Sequence, residues 1–128
     1  MNKNTLIEKV AALHLADGSY CVLAGGAMLF YGLRTSTQDI DLHVNEAAFD
    51  ILKATQKLVL LDEQRRHYAI GEDVELYVVA QDDIVFTRCD GICIQTPQAV
   101  LALKKRLDRE KDRADICALE KYIKENDL

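Results

Sequence analysis

Asp39 and Asp41 stand one residue apart at the head of an apolar run, Ile40-Asp41-Leu42-His43-Val44. Side chains alternate along a strand, so Asp39, Asp41 and His43 share one face while Ile40, Leu42 and Val44 take the other and enter a core. The two carboxylates are then roughly 6 to 7 Å apart along the strand, which is costly in a partly buried site unless a proton or a cation is shared. A divalent metal is the usual remedy, and magnesium fits. It favours oxygen ligands, takes one or two protein carboxylates, and fills its remaining positions with water and substrate phosphate. Upstream of Asp39, with twelve residues between, the pair Gly25-Gly26 closes a short apolar run from Tyr20 to Ala24 and opens an apolar-rich segment ending near Gly32. A strand, a glycine turn, a helix and a second strand fit that order. Without side chains, Gly25 and Gly26 let a phosphate approach backbone N–H groups where the helix begins. A nucleoside triphosphate with its metal fits between the two features. Arg34, Thr35, Ser36 and Thr37 lead into the aspartates, and the planar fork of Arg34 suits it to neutralise phosphate charge.

An apolar residue, Gly25-Gly26, the twelve intervening residues and Asp39-Ile40-Asp41 together resemble the signature of the DNA polymerase beta-like nucleotidyltransferase superfamily. The order Gly25-Gly26, Gly32, Arg34, Thr37, Asp39-Ile40-Asp41 is most similar to its small bacterial branches, the abortive-infection type toxins among them. The resemblance implies an α/β fold with a mixed, mostly antiparallel sheet flanked by helices. It also implies transfer of a nucleoside monophosphate from a nucleoside triphosphate such as ATP to an acceptor hydroxyl, with release of pyrophosphate. Asp39 and Asp41 would be catalytic and would hold one or two magnesium ions. A third carboxylate on a later strand completes such sites, and Glu75 is the best match, with Asp73 as its substitute if the register differs by two. Gly25, Gly26, Arg34 and Thr37 would bind the nucleotide. Lys104 and the segment Lys111-Asp112-Arg113-Ala114-Asp115-Ile116 are similar to a phosphate-holding lysine and the Lys-Asp-x-x-Asp stretch that follows it. On that likeness Asp112 either orients Lys104 or caps the last helix. By composition alone the same charge run reads as a solvated face with i,i+4 pairs. Two other classes compete: a catalytically silent nucleotide-binding module or toxin–antitoxin partner with the same fold, and an interaction protein whose carboxylates are merely solvated.

The chain of 128 residues fits one domain, residues 1–128, with enough length to bury a real core. A net charge of −5 argues against a binder of duplex nucleic acid. A small-molecule or protein hydroxyl is therefore the favoured acceptor. An RNA end stays open, because Lys104, Lys105, Arg106, Arg109, Lys111 and Arg113 could form a basic lip. Whether the chain forms a homodimer is also open. No segment is long enough to span a bilayer, and the four cysteines suit a reducing cytoplasm. Cys21 and Cys117 read as small core residues, and Cys89 and Cys93 flank a hairpin turn at Asp90-Gly91.

The remaining elements follow from periodicity. A first helix spans Asn4 to Leu15, with Asn4 or Thr5 as N-cap, and a third spans Glu46 to Lys57 behind Asn45. A short strand from Val59 precedes hairpins at Arg65–Ile70 with Asp73–Ala80 and at Ile84–Arg88 with Ile92–Gln95. Thr96-Pro97 starts a penultimate helix, and a last helix, Asp112 to Ile123, buries Ala114, Ile116, Cys117, Leu119 and Tyr122.

Overall fold

The structure, a computed structural model, describes residues 1–128. Its sheet has seven strands in the order β3-β4-β5-β2-β1-β7-β6: β1 (Tyr20–Val22), β2 (Ile40–Val44), β3 (Leu58–Asp62), β4 (His67–Ile70), β5 (Val74–Val78), β6 (Phe86–Cys89) and β7 (Ile92–Gln95). The pairs β1–β7 and β2–β5 are parallel and the other neighbours antiparallel, so the sheet is mixed and mostly antiparallel. Five helices accompany it: α1 (Lys3–Ala11), α2 (Ala24–Phe30), α3 (Glu46–Thr55), α4 (Pro97–Leu107) and α5 (Arg113–Glu125). None is long and apolar enough to cross a membrane.

Burial along the strands records which faces are covered. Every residue of β1 and β7 is buried, as befits strands with packed layers on both sides. On β2 and β5 burial alternates: Ile40, Leu42, Val44, Val74, Leu76 and Val78 enter the core, and Asp41, His43, Glu75 and Tyr77 are only partly covered on the opposite face. Ala48, Phe49 and Leu52 of α3 join the same hydrophobic cluster. On the other side α4 packs against both α2 and α5. The polar face of the sheet is thus one half of an alternating pattern already written in β2 and β5.

Local chemistry sets most boundaries. Asn45 caps α3 by accepting from the Ala48 amide at 2.9 Å, and Thr96 caps α4 by accepting from Ala99 at 3.2 Å ahead of Pro97. Asp90 and Gly91 both have positive φ, 52° and 78°, which matches the right-handed twist of the β6–β7 hairpin. Three expectations need correction. The cap of α1 is Asn2, whose side chain accepts from Thr5 at 2.9 Å; the helix starts at Lys3 and stops at Ala11, because the chain turns to bury Leu13. The third helix ends at Thr55 and not at Lys57, and its apolar face is Ala48, Phe49 and Leu52, with Ile51 exposed. On α5 only Leu119 is fully buried, and Ala114 and Cys117 face solvent, so Cys117 is not a core thiol. All four cysteines are free.

Candidate active site

The chain leaves β1 through Leu23, whose amide donates to the Asp41 carbonyl at 2.8 Å, so the helix bearing the glycines is tied to the strand bearing the aspartate. Ala24 then adopts a left-handed conformation, φ 39°, which is strained for a residue with a Cβ. Its amide donates to Oε1 of the buried Gln95 at 2.9 Å, and this bond helps to hold the turn. After α2 the loop carrying Arg34 and Thr37 returns, with Thr37 N–H bonded to the Met1 carbonyl at 2.9 Å and Thr37 Oγ1 donating to the Asp39 carbonyl at 3.1 Å. Asp39 is exposed just ahead of β2, and Asp41 is half-buried within it.

These segments and the α4–α5 corner surround one polar cavity of about 470 Å³. Gly25, Gly26, Arg34 and Thr37 line one side of it, Asp39 and Asp41 another, and Lys104 and Asp112 a third. Ala24, Gln38, Arg109 and Lys111 complete the wall.

The two glycines have different tasks. A Cβ on Gly26 would lie 2.6 Å from Val22 Cγ1 and 3.1 Å from Leu6 Cδ1, so its missing side chain lets α2 sit against β1 and α1. A Cβ on Gly25 would lie 3.2 Å from an Arg34 guanidinium nitrogen and 3.4 Å from Thr37 Oγ1, so Gly25 keeps the cavity side clear. Gly26→Ala is expected to cost about 1–3 kcal/mol by overpacking, read as a lower denaturation midpoint. Gly25→Ala should instead leave the midpoint nearly unchanged and weaken nucleotide binding, because Arg34 and Thr37 must move aside. Equal stability losses in the two variants would refute this division.

Lys104 is 3% exposed and sits between carboxylates, 2.9 Å from Asp112 Oδ1 and 3.1 Å from Asp115 Oδ2. Asp115 also takes Arg34 at 2.7 Å, and Asp112 takes Arg109 Nε at 2.5 Å. The row Arg34–Asp115–Lys104–Asp112–Arg109 therefore has one more cation than carboxylates. Lys104 has three donors and uses two of them on these partners, so one is left for a ligand in the cavity. Burial pushes the Asp112 and Asp115 carboxyls up, but the combined bonds and charges of their cations outweigh it, and both end below the usual carboxylate range. Of the two expected roles for Asp112, the geometry selects orientation of Lys104. Its side chain makes no capping bond to α5.

Opposite this row, burial raises the Asp41 pKa, and the nearby charges of Glu75 and Asp39 raise it further. Glu75 is the register partner of Asp41 across the parallel β2–β5 pair, so the two side chains emerge on the same face. It does not line the cavity. Its Oε1 lies 2.7 Å from Nε2 of His67, whose ring stacks on Tyr77 with centroids 4.1 Å apart. Asp73, the substitute, pairs with Lys9. No cluster of three or more His, Cys, Asp or Glu side chains stands in ligating geometry. The donor set of Asp39 and Asp41 suits magnesium, which takes one or two protein carboxylates; Glu75, with Oε1 on His67, has Oε2 left to offer.

The partnerships of Gln95 with Ala24, Asp115 with Lys104 and His67 with Glu75 were not foreseen from sequence. They span 71, 11 and 8 residues respectively; only the Lys-Asp-x-x-Asp stretch hinted at one of them. No protein-family model matches the chain, and no curated protein matches it in sequence.

Proposed function

We propose that this protein is a nucleotidyltransferase of the DNA polymerase beta-like type. In this reading it moves a nucleoside monophosphate from a nucleoside triphosphate to an acceptor hydroxyl, in the cytoplasm. The observation that carries the proposal is the single cavity in which a side-chain-free backbone at Gly25, the cations Arg34 and Lys104, and the carboxylates Asp39 and Asp41 face one another. Phosphates require the first two groups, and a phosphate-bridging cation requires the third.

The triphosphate lies against Gly25 beside Thr37, with the remaining donors of Arg34 and Lys104 on its oxygens. Gly26 contributes by letting α2 approach the sheet. Asp112 and Asp115 fix Lys104, so little side-chain freedom is lost when phosphate arrives. Asp39 and Asp41 would hold magnesium, with Glu75 as a third carboxylate; when bound, the metal offsets charge on the reacting phosphate and on the pyrophosphate. The acceptor oxygen attacks the α-phosphorus in line, a new P–O bond forms, the bond to the bridging oxygen breaks, and pyrophosphate leaves with the electron pair. Glu75 takes the proton of the acceptor hydroxyl, and His67 holds that carboxylate in orientation. The favoured acceptors are small molecules or protein hydroxyls.

The test is pyrophosphate release from labelled nucleoside triphosphates with magnesium and a cell extract as source of acceptor, followed by location of the label. Label on a small molecule or a protein is the expected result. One observation favours a second reading, a nucleotide-binding module that does not turn over: Glu75 is already engaged by His67. Magnesium-dependent nucleotide binding without pyrophosphate release would select it, and no nucleotide binding at all would overturn both.

A further inference from the structure

A second cavity, of about 610 Å³, adjoins the first. Ala24, Asp41 and Arg109 line both, so Asp41 stands on the ridge between them. The far walls of the second cavity carry His43, Arg65, Tyr77 and Arg106. Arg65 comes from the turn between β3 and β4 and Arg106 from α4, elements distant in sequence that converge here.

The arginines of this protein divide cleanly by partner. Arg34, Arg66, Arg88, Arg109 and Arg113 each pair with a carboxylate, whereas Arg65 and Arg106 pair with none, and both of these line the second cavity. Arg65 rests instead over the Tyr77 ring, 5.4 Å from its centroid, a contact that consumes no carboxylate. In a chain of net charge −5, two guanidiniums left unpaired on one wall are not explained by a shortage of carboxylates.

We infer that this second cavity is the acceptor subsite, and that the acceptor is a hydroxyl compound that also carries a phosphate ester, held by Arg65 and Arg106 with its hydroxyl toward Asp41. The inference rests on the transferase reading for the word acceptor, but the binding itself does not. Two planar forks in one cavity suit a phosphate monoester better than a carboxylate, because the ester presents three terminal oxygens and about two negative charges where a carboxylate presents two oxygens and one charge. The ester belongs either to a small phosphorylated metabolite or to the terminal nucleotide of an RNA.

The test is a titration of 15N-labelled protein with glycerol 3-phosphate and, separately, with a short oligoribonucleotide, following the arginine side-chain N–H signals. The Arg65 and Arg106 signals should shift saturably. The double variant Arg65→Gln/Arg106→Gln should weaken binding by about tenfold to a hundredfold with its melting temperature unchanged, since both side chains are exposed and unpaired. Arg113→Gln should leave this binding within about twofold, since Arg113 lines neither cavity. Tighter binding of the oligoribonucleotide assigns the ester to an RNA end, and equal or weaker binding assigns it to a small molecule. Shifts confined to the Arg34 and Lys104 region, or an undiminished affinity in the double variant, would overturn the subsite. Magnesium-dependent nucleoside triphosphate binding, measured in parallel, reports on the transferase reading alone; its absence while Arg65 and Arg106 still respond removes the acceptor role and leaves a phosphate-ester site.

Discussion

Asp41→Asn is expected to abolish magnesium-dependent nucleotide binding and to lower transfer by roughly three orders of magnitude, while the metal-free protein stays as stable as before or becomes more so. The expected loss of activity follows from removing one of the two carboxylates, Asp39 and Asp41, that would hold the metal under the proposed function. Metal stabilisation of a phosphoryl transition state supplies several kcal/mol, and each ~1.4 kcal/mol is tenfold in rate. The stability result has the opposite sign because Asp41 ionises at a cost. Burial, then Glu75, then Asp39 raise its pKa from the ordinary 3.8. An acid raised on folding contributes stability while it is protonated and loses that contribution as pH rises through its folded value. The variant should therefore gain on the natural protein as pH rises above about 4, and the difference should vanish in more acid solution. Thermal unfolding from pH 3 to 8, with and without magnesium, measures both effects. A clear destabilisation of the metal-free variant at neutral pH would show that Asp41 has a structural partner, and retained magnesium dependence would move the metal elsewhere.

Lys104→Met should be the most destabilising single change at the site, by about 3–5 kcal/mol. It removes a cation 3% exposed and leaves Asp112 and Asp115 facing each other across the vacated position, with only Arg109 and Arg34 as counter-charges. In the natural protein both carboxyls are depressed, so their stabilising contribution is present above the ordinary carboxylate range and is lost as pH falls through their folded values. In the variant that acid dependence should flatten. Removing the partner as well, in Lys104→Met/Asp112→Leu, should recover much of the stability, since a buried pair replaced by apolar groups of similar size is often neutral. A double-mutant cycle over urea unfolding reads the coupling directly. Additive losses, with no recovery in the double variant, would show that Lys104 is held by packing of its stem rather than by Asp112. Nucleotide binding should fail in both variants. That separates the site's chemistry from its stability.

The order strand, helix, strand was legible in the sequence because each part is dictated by neighbours, although Gly25 and Gly26 lie in the first turn of α2 and not in a turn ahead of it. An apolar run of three to five residues, two glycines and an alternation of Asp41 and His43 with Ile40, Leu42 and Val44 leave few other local solutions. Caps at Asn45 and Thr96 and the turn at Asp90-Gly91 were legible for the same reason, since the donor and acceptor lie within three residues. Tertiary structure decided what needed a partner from far along the chain. Two adjacent glycines look alike in sequence, yet Val22 and Leu6 press on one and Arg34 and Thr37 on the other. Cys117 lies in an apolar stretch, but the phase of α5 against α4 turns it to solvent and leaves Leu119 as the buried contact. The charge run after Leu107 reads as a solvated face until α5 folds back on α4, when burial forces Asp112 and Asp115 to find Lys104, because an unpaired charge there would be far costlier than a paired one. Arg65 carries no local signal, and Arg106 only its place in a basic run. That they share one cavity beside Asp41, unpaired, is decided only by where the sheet and α4 meet.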